Sequence, residues 1–432
     1  MNLKSNKLYL ERCKSYFKDN YNEFIKKLEL EPTKSLFLNK LKGDVIKDID
    51  FNISSSDINP NAYYYTKDRI SATKAYELGL IYPQGIESSL SSYLFNGEDI
   101  NVIVDMCSAP GGKSINFINK YIDALLISND VNYKRQLLTC SNFERLGIDK
   151  AIITSLDTKE LSRSLNGKAD LVILDAPCSG EGMARKTDEI YDAYSENEIR
   201  KLAEIQSNLL DEAYDMLNGN SYLVYSTCAF SFEEDELQVK SFLNRHKDMS
   251  LVDINAKDNQ STLPGTIKLS FVNNTEGQFI AILKKSGIKN KIGFSSYKTV
   301  KNDIVDRFIK DNLNVNNYYL YRNDNSFYMS FEPFINLGVN FIRQGIYLGD
   351  LVKDRFEPNH FMYRSNALIN SYKYVYLLND KQYEEFVKGS EIKVDGLANA
   401  YYSLFYKCYP VGFGKYSNGV IKNKYPKGLR RK

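Results

Sequence analysis

The chain has no tryptophan and only two histidines, His246 and His360, among 432 residues. Neither histidine sits in a motif, so a histidine-built metal centre or a Ser-His-Asp triad is a poor explanation for any activity, and no metal site is expected. The six cysteines are irregularly spaced and include no CxxC pair, which argues against a disulfide framework and a zinc ribbon. No stretch approaches the roughly eighteen apolar residues of a membrane span. The opening Met1-Asn2-Leu3-Lys4-Ser5-Asn6-Lys7 leads into charge rather than an apolar run, so no signal peptide is read and a cytoplasmic location is expected. A large excess of one charge is also missing. At +3 the net charge is too small to diagnose nucleic-acid binding, and its placement matters more than its sum.

What is present is the composition of a soluble globular protein, 43% hydrophobic and 26% charged, in a chain long enough for about two to four domains. The 33 tyrosines read as compositional bias and ordinary packing rather than as stacking platforms. Residues 1 to about 50 carry helical periodicity, and Asn52–Pro60 reads as a polar loop. From about 100 to 284, short β-branched runs alternate with amphipathic segments. The runs are Asn101–Val104, Ala124–Ile127, Ala151–Ile153, Leu171–Leu174 and Tyr222–Tyr225, with a late strand at Phe279–Leu283; 197–217 is one of the amphipathic segments. That alternation predicts an α/β fold with a parallel, doubly wound sheet covered on both faces. Expected boundaries are 1–95, 96–286, 287–365 and 366–432, the last two as small α+β or β-rich modules.

Three predicted strand ends carry the chemistry. The first opens the loop Asp105-Met106-Cys107-Ser108-Ala109-Pro110-Gly111-Gly112-Lys113-Ser114. As a phosphate loop it misses: the window ending Gly112-Lys113-Ser114 begins with Cys107 where glycine is required, and Pro110 lacks an N–H. As an adenosyl-cofactor loop it fits better, because Asp130 and Asp157 follow the next two strands, where carboxylates meet ribose hydroxyls and an adenine amine. The alternative for each acid is a helix cap. The other two junctions hold thiols: Cys178 in Asp175-Ala176-Pro177-Cys178-Ser179-Gly180-Glu181-Gly182, and Cys228 in Tyr225-Ser226-Thr227-Cys228-Ala229-Phe230-Ser231. A lone cysteine after a strand is usually a small buried hydrophobe. Two of them beside a cofactor loop suit covalent attack on a ring carbon made electrophilic by neighbouring nitrogens.

In order and separation, these segments resemble the NSUN/RsmF-type RNA (cytosine-5) methyltransferases, in the branch that modifies bacterial 16S rRNA. The resemblance covers at least residues 60–285, and Gly412–Lys415 through Arg430 is similar to that branch's closing PUA-like module. It implies a Rossmann-like class I methyltransferase core with an N-terminal helical or α+β extension, and C-terminal α+β and PUA-like modules. It implies S-adenosyl-L-methionine as cofactor, lined by Cys107, Ser108, Ala109, Pro110, Gly111, Gly112, Lys113, Asp130, Asp157 and Asp175. Cys228 is then the nucleophile toward cytosine C6, Cys178 assists release, and Asp175 and Lys113 contact the base edge. Two departures stand out. The family's ribose-binding acid is commonly Glu and here is Asp130, and the lead-in Gly79–Ser89 matches only in part. The target base must leave its stack, at a cost of a few kcal/mol.

From Lys415 onward the chain holds seven basic residues and no acid. Lys415, Lys422, Lys424, Lys427 and Arg430, with Tyr416 and Tyr425 among them, suit phosphate contacts and stacking on RNA, and Arg185 and Lys186 suit the strand near the pocket. A monomer acting on 16S rRNA or the small subunit is expected. Alternatives are the same chemistry on tRNA or another RNA, and a non-catalytic ribosome-assembly factor on this fold. A DNA cytosine-5 enzyme would place its nucleophile at the Pro-Cys site instead.

Overall fold

A computed structural model of the chain describes residues 6–186 and 194–431. At its centre lies a mixed sheet whose strands we label β1 (Val102–Asp105), β2 (Leu125–Asn129), β3 (Ala151–Thr154), β4 (Ala169–Asp175), β5 (Leu217–Thr227) and β6 (Gln278–Lys285). The order across the sheet is β3-β2-β1-β4-β5-β6, with the short strands Met249–Leu251 and Arg343–Gln344 at its two edges. Strands β1 to β5 pair in parallel, as the alternation predicts. The sheet is not wholly parallel, because β6 runs antiparallel to β5.

The strands alternate strictly between two cores, as period-two side chains of a doubly covered sheet must. Val102, Val104, Val172 and Leu174 face one cluster, capped by Leu161, Leu210, Ala213 and Phe242 from helices Thr158–Ser164, Glu196–Met216 and Glu236–Arg245. Ile103, Leu126, Leu171 and Ile173 face the other, capped by Ile115, Phe117 and Phe143 from helices Gly112–Lys120 and Tyr133–Leu146. The chain order reverses between β1 and β4, and ligands of such sheets bind beyond the carboxyl ends of the strands at that switch.

Two features of the N-terminal segment differ from the periodicity reading. Helices Lys7–Phe17 and Tyr21–Leu28 form, but the chain then turns to strand at Ser35–Leu38, and Ile53–Ser55 inside the expected loop is also a strand. Both belong to an antiparallel four-stranded sheet with Ala62–Tyr65 and Ile81–Pro83. Burial overrides propensity here: Ser35–Leu38 is out of water along its whole length. The two helices stack Phe17 and Phe24 against Phe230 and Phe271, which clamps the loop that follows Cys228.

Beyond β6, strands between Tyr319 and Pro358 form a four-stranded antiparallel sheet, and strands between Val375 and Asn423 a five-stranded one. Leu320, Phe327 and Met329 share one hydrophobic cluster with Phe405 and Phe413, while Leu36, Leu78 and Ile81 share another with Tyr383, Leu404 and Tyr425. The last module therefore packs against both the preceding sheet and the N-terminal one. Among the described residues no helix is long and apolar enough to cross a membrane.

Candidate active site

Strands β4 and β5 end in step, with Asp175 opposite Ser226. The two thiols lie three and two residues beyond that pair, and their sulfurs are 3.0 Å apart. Cys178 and Cys228 are both half-buried residues. The Cys228 amide donates to Cys178 Sγ at 3.3 Å. The hydrogen bond with Cys228, then burial, hold the Cys178 thiol well above the ordinary thiol range, so that sulfur keeps its proton at neutral pH.

The loops that carry the thiols are braced by backbone contact and buried acids. Gly182 N–H donates to the Cys228 carbonyl and Gly277 N–H to the Gly182 carbonyl, both at 2.8 Å. A Cβ on Gly182 would lie 2.3 Å from the Gly277 Cα, so this approach needs glycine. Glu181 Oε2 accepts from the Phe230 and Ser231 amides at 2.7 Å each, and its other oxygen accepts from Tyr194. Glu234 accepts from the Ser179 amide and Gln206 at 2.9 Å and from Ser231 at 2.7 Å. Thr227 Oγ1 donates to Asp235 at 2.5 Å, and Lys268 pairs with Asp235 and Glu236 at 3.0 and 2.8 Å. Burial raises the Glu181 and Asp235 carboxyls above their usual range. None of these residues was singled out from sequence, although Glu181 and Glu234 stand in or beside the thiol motifs.

At the switch point lies a cleft of about 190 Å³ whose lining includes Asp175 but neither Cys178 nor Cys228. The Asp105–Lys113 loop forms one wall, and Tyr82, Gln84 and Ser88 of the lead-in form the other. The partially matching lead-in thus reaches the site. Gly111 sits at φ +100°, a conformation that favours glycine, and a Cβ there would lie 3.0 Å from Thr139 and 3.1 Å from Phe143, while Gly112 opens the following helix. Lys113 is buried and pairs with Asp175 at 2.7 Å, and it donates to Ser88 at 3.3 Å. Ser226 Oγ donates to the other Asp175 oxygen at 2.8 Å, tying the cleft to the Cys228 strand. Asp105, missed as a site residue, ends β1 wholly buried; Ser114 donates to one oxygen at 2.6 Å and the other has no partner. Burial pushes its carboxyl up to about 7. The rule that picked out Asp130, an acid at a strand end, points to Asp105 as well. Burial also raises the Cys107 thiol.

Other expected residues fall elsewhere. Asp130 is buried at the end of β2, accepting from the Ala109 amide at 3.3 Å and pairing with Arg135 at 3.3 Å, so it stiffens the Asp105–Lys113 loop. Asp157 is exposed and caps its own helix, accepting from the Lys159 amide at 3.0 Å; this is the alternative weighed for it. Arg185 is corrected outright: its guanidinium is 3% exposed, pairs with Glu276 at 2.7 Å and stacks on Phe271, leaving nothing for an RNA strand. Lys186 remains partly exposed, 3.8 Å from Glu87. Lys415, Lys422, Lys424 and Lys427 are exposed, with Lys415 and Lys422 side by side on paired strands. Arg430 folds back on the Tyr425 carbonyl. Tyr416 and Tyr425 are core residues, 6% and 5% exposed, so the stacking expected of them does not fit.

Comparison with known proteins bears on this geometry. Residues 92–284 match the family model described as 16S rRNA methyltransferase RsmB/F, and 373–431 the one described as Methyltransferase RsmF PUA domain. Ribosomal RNA small subunit methyltransferase F of Psychromonas ingrahamii is 27% identical over 385 residues, covering 82% of this chain and 79% of that one. The protein of the same name in Aliivibrio fischeri is 24% identical, covering 84% and 81%. The 26S rRNA (cytosine-C(5))-methyltransferase nsun-1 of Caenorhabditis elegans is 32% identical over 187 residues, 42% of this chain and 28% of that one. The solved structure of NSun6 from Pyrococcus horikoshii with SFG has a TM-score of 0.57 at 22% identity, covering 65% of this chain and 98% of that one. That likeness is one of fold.

Proposed function

We propose that this chain, which matches the 16S rRNA methyltransferase RsmB/F family model over residues 92–284, methylates C5 of cytosine in 16S rRNA through a transient bond between Cys228 and C6. The observation that carries the reading is the sulfur pair, two half-buried thiols 3.0 Å apart at neighbouring strand ends, joined through Ser226 and Asp175 to a cleft.

The cleft suits S-adenosylmethionine. Asp175 and Asp130 are paired with Lys113 and Arg135, and the buried Asp105 keeps one oxygen without a hydrogen-bond partner. A cationic ligand nearby would favour the ionised Asp105 carboxylate. The residues that would hold it are Cys107 to Gly112, Asp105 and Asp130. When bound, the cofactor supplies an electrophilic methyl group on a sulfonium sulfur.

Cytosine C5 is a weak nucleophile, and attack of the Cys228 sulfur on C6 moves electron density onto C5. Lys113 and Asp175 meet the polar edge of the ring and favour its protonated form, which makes C6 more electrophilic. Cys178, still carrying its proton, lies 3.0 Å from the Cys228 sulfur and assists release, when the C5 proton is lost and the C6–S bond breaks. The bracing of both loops by Glu181, Glu234 and the Gly182–Gly277 contact holds the sulfurs in place. The exposed Lys415, Lys422, Lys424 and Lys427, with Lys186 near the pocket, supply phosphate contacts, so RNA affinity falls steeply with salt.

The test is bisulfite sequencing of 16S rRNA from cells with and without the gene, paired with transfer of labelled methyl groups to the unmodified rRNA in vitro. One 16S cytosine losing its methyl group without the gene is expected. Loss confined to a tRNA would move the same chemistry to another RNA, and no change in any RNA would overturn the reading.

A further inference from the structure

All six cysteines are free, and among the described residues the sulfurs of Cys178 and Cys228 are the only two in contact with each other. Their separation of 3.0 Å exceeds the length of a disulfide bond, about 2.05 Å, by roughly 1 Å. Shared between the two side chains, that gap is on the order of 20° of rotation about each Cα–Cβ bond, within one rotamer well. The loops need not move. Gly182 N–H holds the Cys228 carbonyl, and Glu234 accepts from the Ser179 amide beside Cys178 and from Ser231 beyond Cys228. The pair is held one small torsion from a bond and kept from drifting apart. Of the other cysteines, Cys13 and Cys140 are buried and Cys408 is exposed, each without a second sulfur against it.

A nucleophilic thiol with a second thiol against it is the arrangement of a cysteine that is oxidised and then resolved. We propose that Cys178 and Cys228 form a modification site for peroxides, which join the two sulfurs in a reversible disulfide and so withdraw the nucleophile. With hydrogen peroxide the chemistry closes without a further reactant. The Cys228 sulfur attacks one peroxide oxygen; the O–O bond breaks, an S–O bond forms, and the thiol proton leaves with the second oxygen as water. The Cys178 sulfur then attacks the Cys228 sulfenic acid; the S–S bond forms, the S–O bond breaks, and the Cys178 proton leaves with the hydroxyl as a second water. Both sulfurs are oxidised and both peroxide oxygens are reduced.

The order of the two thiols follows from their surroundings. Cys178 keeps its proton, and the thiolate is the form that attacks peroxide, so Cys228 reacts first. Contact at 3.0 Å then gives the slower thiol a high effective concentration, which lets it intercept the sulfenic acid before a second peroxide does. The function proposed above brings a whole base to the Cys228 sulfur, and a route that admits a base admits a peroxide. Loss of activity on oxidation rests on that reading; formation of the bond does not.

The full chain is reduced, freed of thiol, treated with hydrogen peroxide, blocked with N-ethylmaleimide and digested without reductant for peptide mass spectrometry. A linked pair of peptides carrying Cys178 and Cys228, lighter by two hydrogens than their sum and parted again by dithiothreitol, is expected. Cys178→Ser should form no such link and should carry Cys228 on to sulfinic acid, which dithiothreitol does not restore. Methyl transfer by the natural chain should fall roughly tenfold or more in step with the link and return with dithiothreitol. Absence of the link, links formed mainly between other cysteines, or a linked chain that still transfers methyl groups overturns the proposal. A chain that links as expected but, when reduced, methylates no RNA sinks the function proposed above and leaves the modification site standing.

Discussion

Behind the thiols, Glu181, Glu234 and Asp235 are fully out of water, and each receives two or more donors from amides, hydroxyls or Lys268. Between the N-terminal sheet and the C-terminal module, Arg145, Arg364 and Lys42 have buried nitrogens that face carbonyls or nothing. Both regions bury charged groups, but only in the first does each group have hydrogen-bond donors or a counter-charge within the chain. A buried charge whose partners are internal holds two loops in register. One whose partners are missing is a standing cost to the fold.

The largest effect that would break this comparison concerns the group the acids hold in place. Cys228→Ala should lower methyl transfer by roughly 10³-fold or more, about 4 kcal/mol of barrier, with little change in unfolding free energy. A variant retaining a tenth of the activity would make the braced thiol incidental. Next is Arg185→Ala, which strands Glu276 in the interior and should cost about 3 kcal/mol or more in urea unfolding. A stable variant with weakened RNA binding would restore Arg185 to the RNA surface. Gly182→Ala, forced against Gly277, should cost about 1–3 kcal/mol and lower kcat more than it raises KM, because the two sulfurs separate.

The effects of pH differ in sign between the regions. The Asp105 carboxyl is raised to about 7 in the folded state, so folding is favoured at low pH and stability falls as pH rises from about 4 to 7. Lys42 is lowered to about 7, so the folded state resists protonation there and stability rises from about pH 7 to 10. Asp105→Asn should flatten the first slope and Lys42→Met the second, in urea titrations read as differences from the natural chain. Slopes unchanged in either variant would remove that group from the comparison.

Much of the catalytic end was legible because it rests on local rules. Strand-length apolar runs with helices between them predict the sheet, and the ends of β1, β4 and β5 carry their glycines and thiols in contiguous motifs. The direction of β6 was not legible, since Phe279–Leu283 has the same apolar pattern whichever way it runs. Arg185, Tyr416 and Tyr425 were misplaced for one reason: a basic or aromatic residue in a basic segment looks solvent-facing until Glu276 or the Phe386 ring is brought up from far along the chain. The approach of Arg364 to Arg145 was invisible for the same reason, the two being 219 residues apart.

The most direct measurement of the central claim uses RNA carrying 5-fluorocytosine at the target position, incubated with cofactor and run under denaturing conditions before peptide mass spectrometry. The natural chain and Cys178→Ala should both yield a covalent complex whose modified peptide contains Cys228, and Cys228→Ala should yield none. A complex through Cys178, or one that persists in Cys228→Ala, would contradict the assignment of the nucleophile.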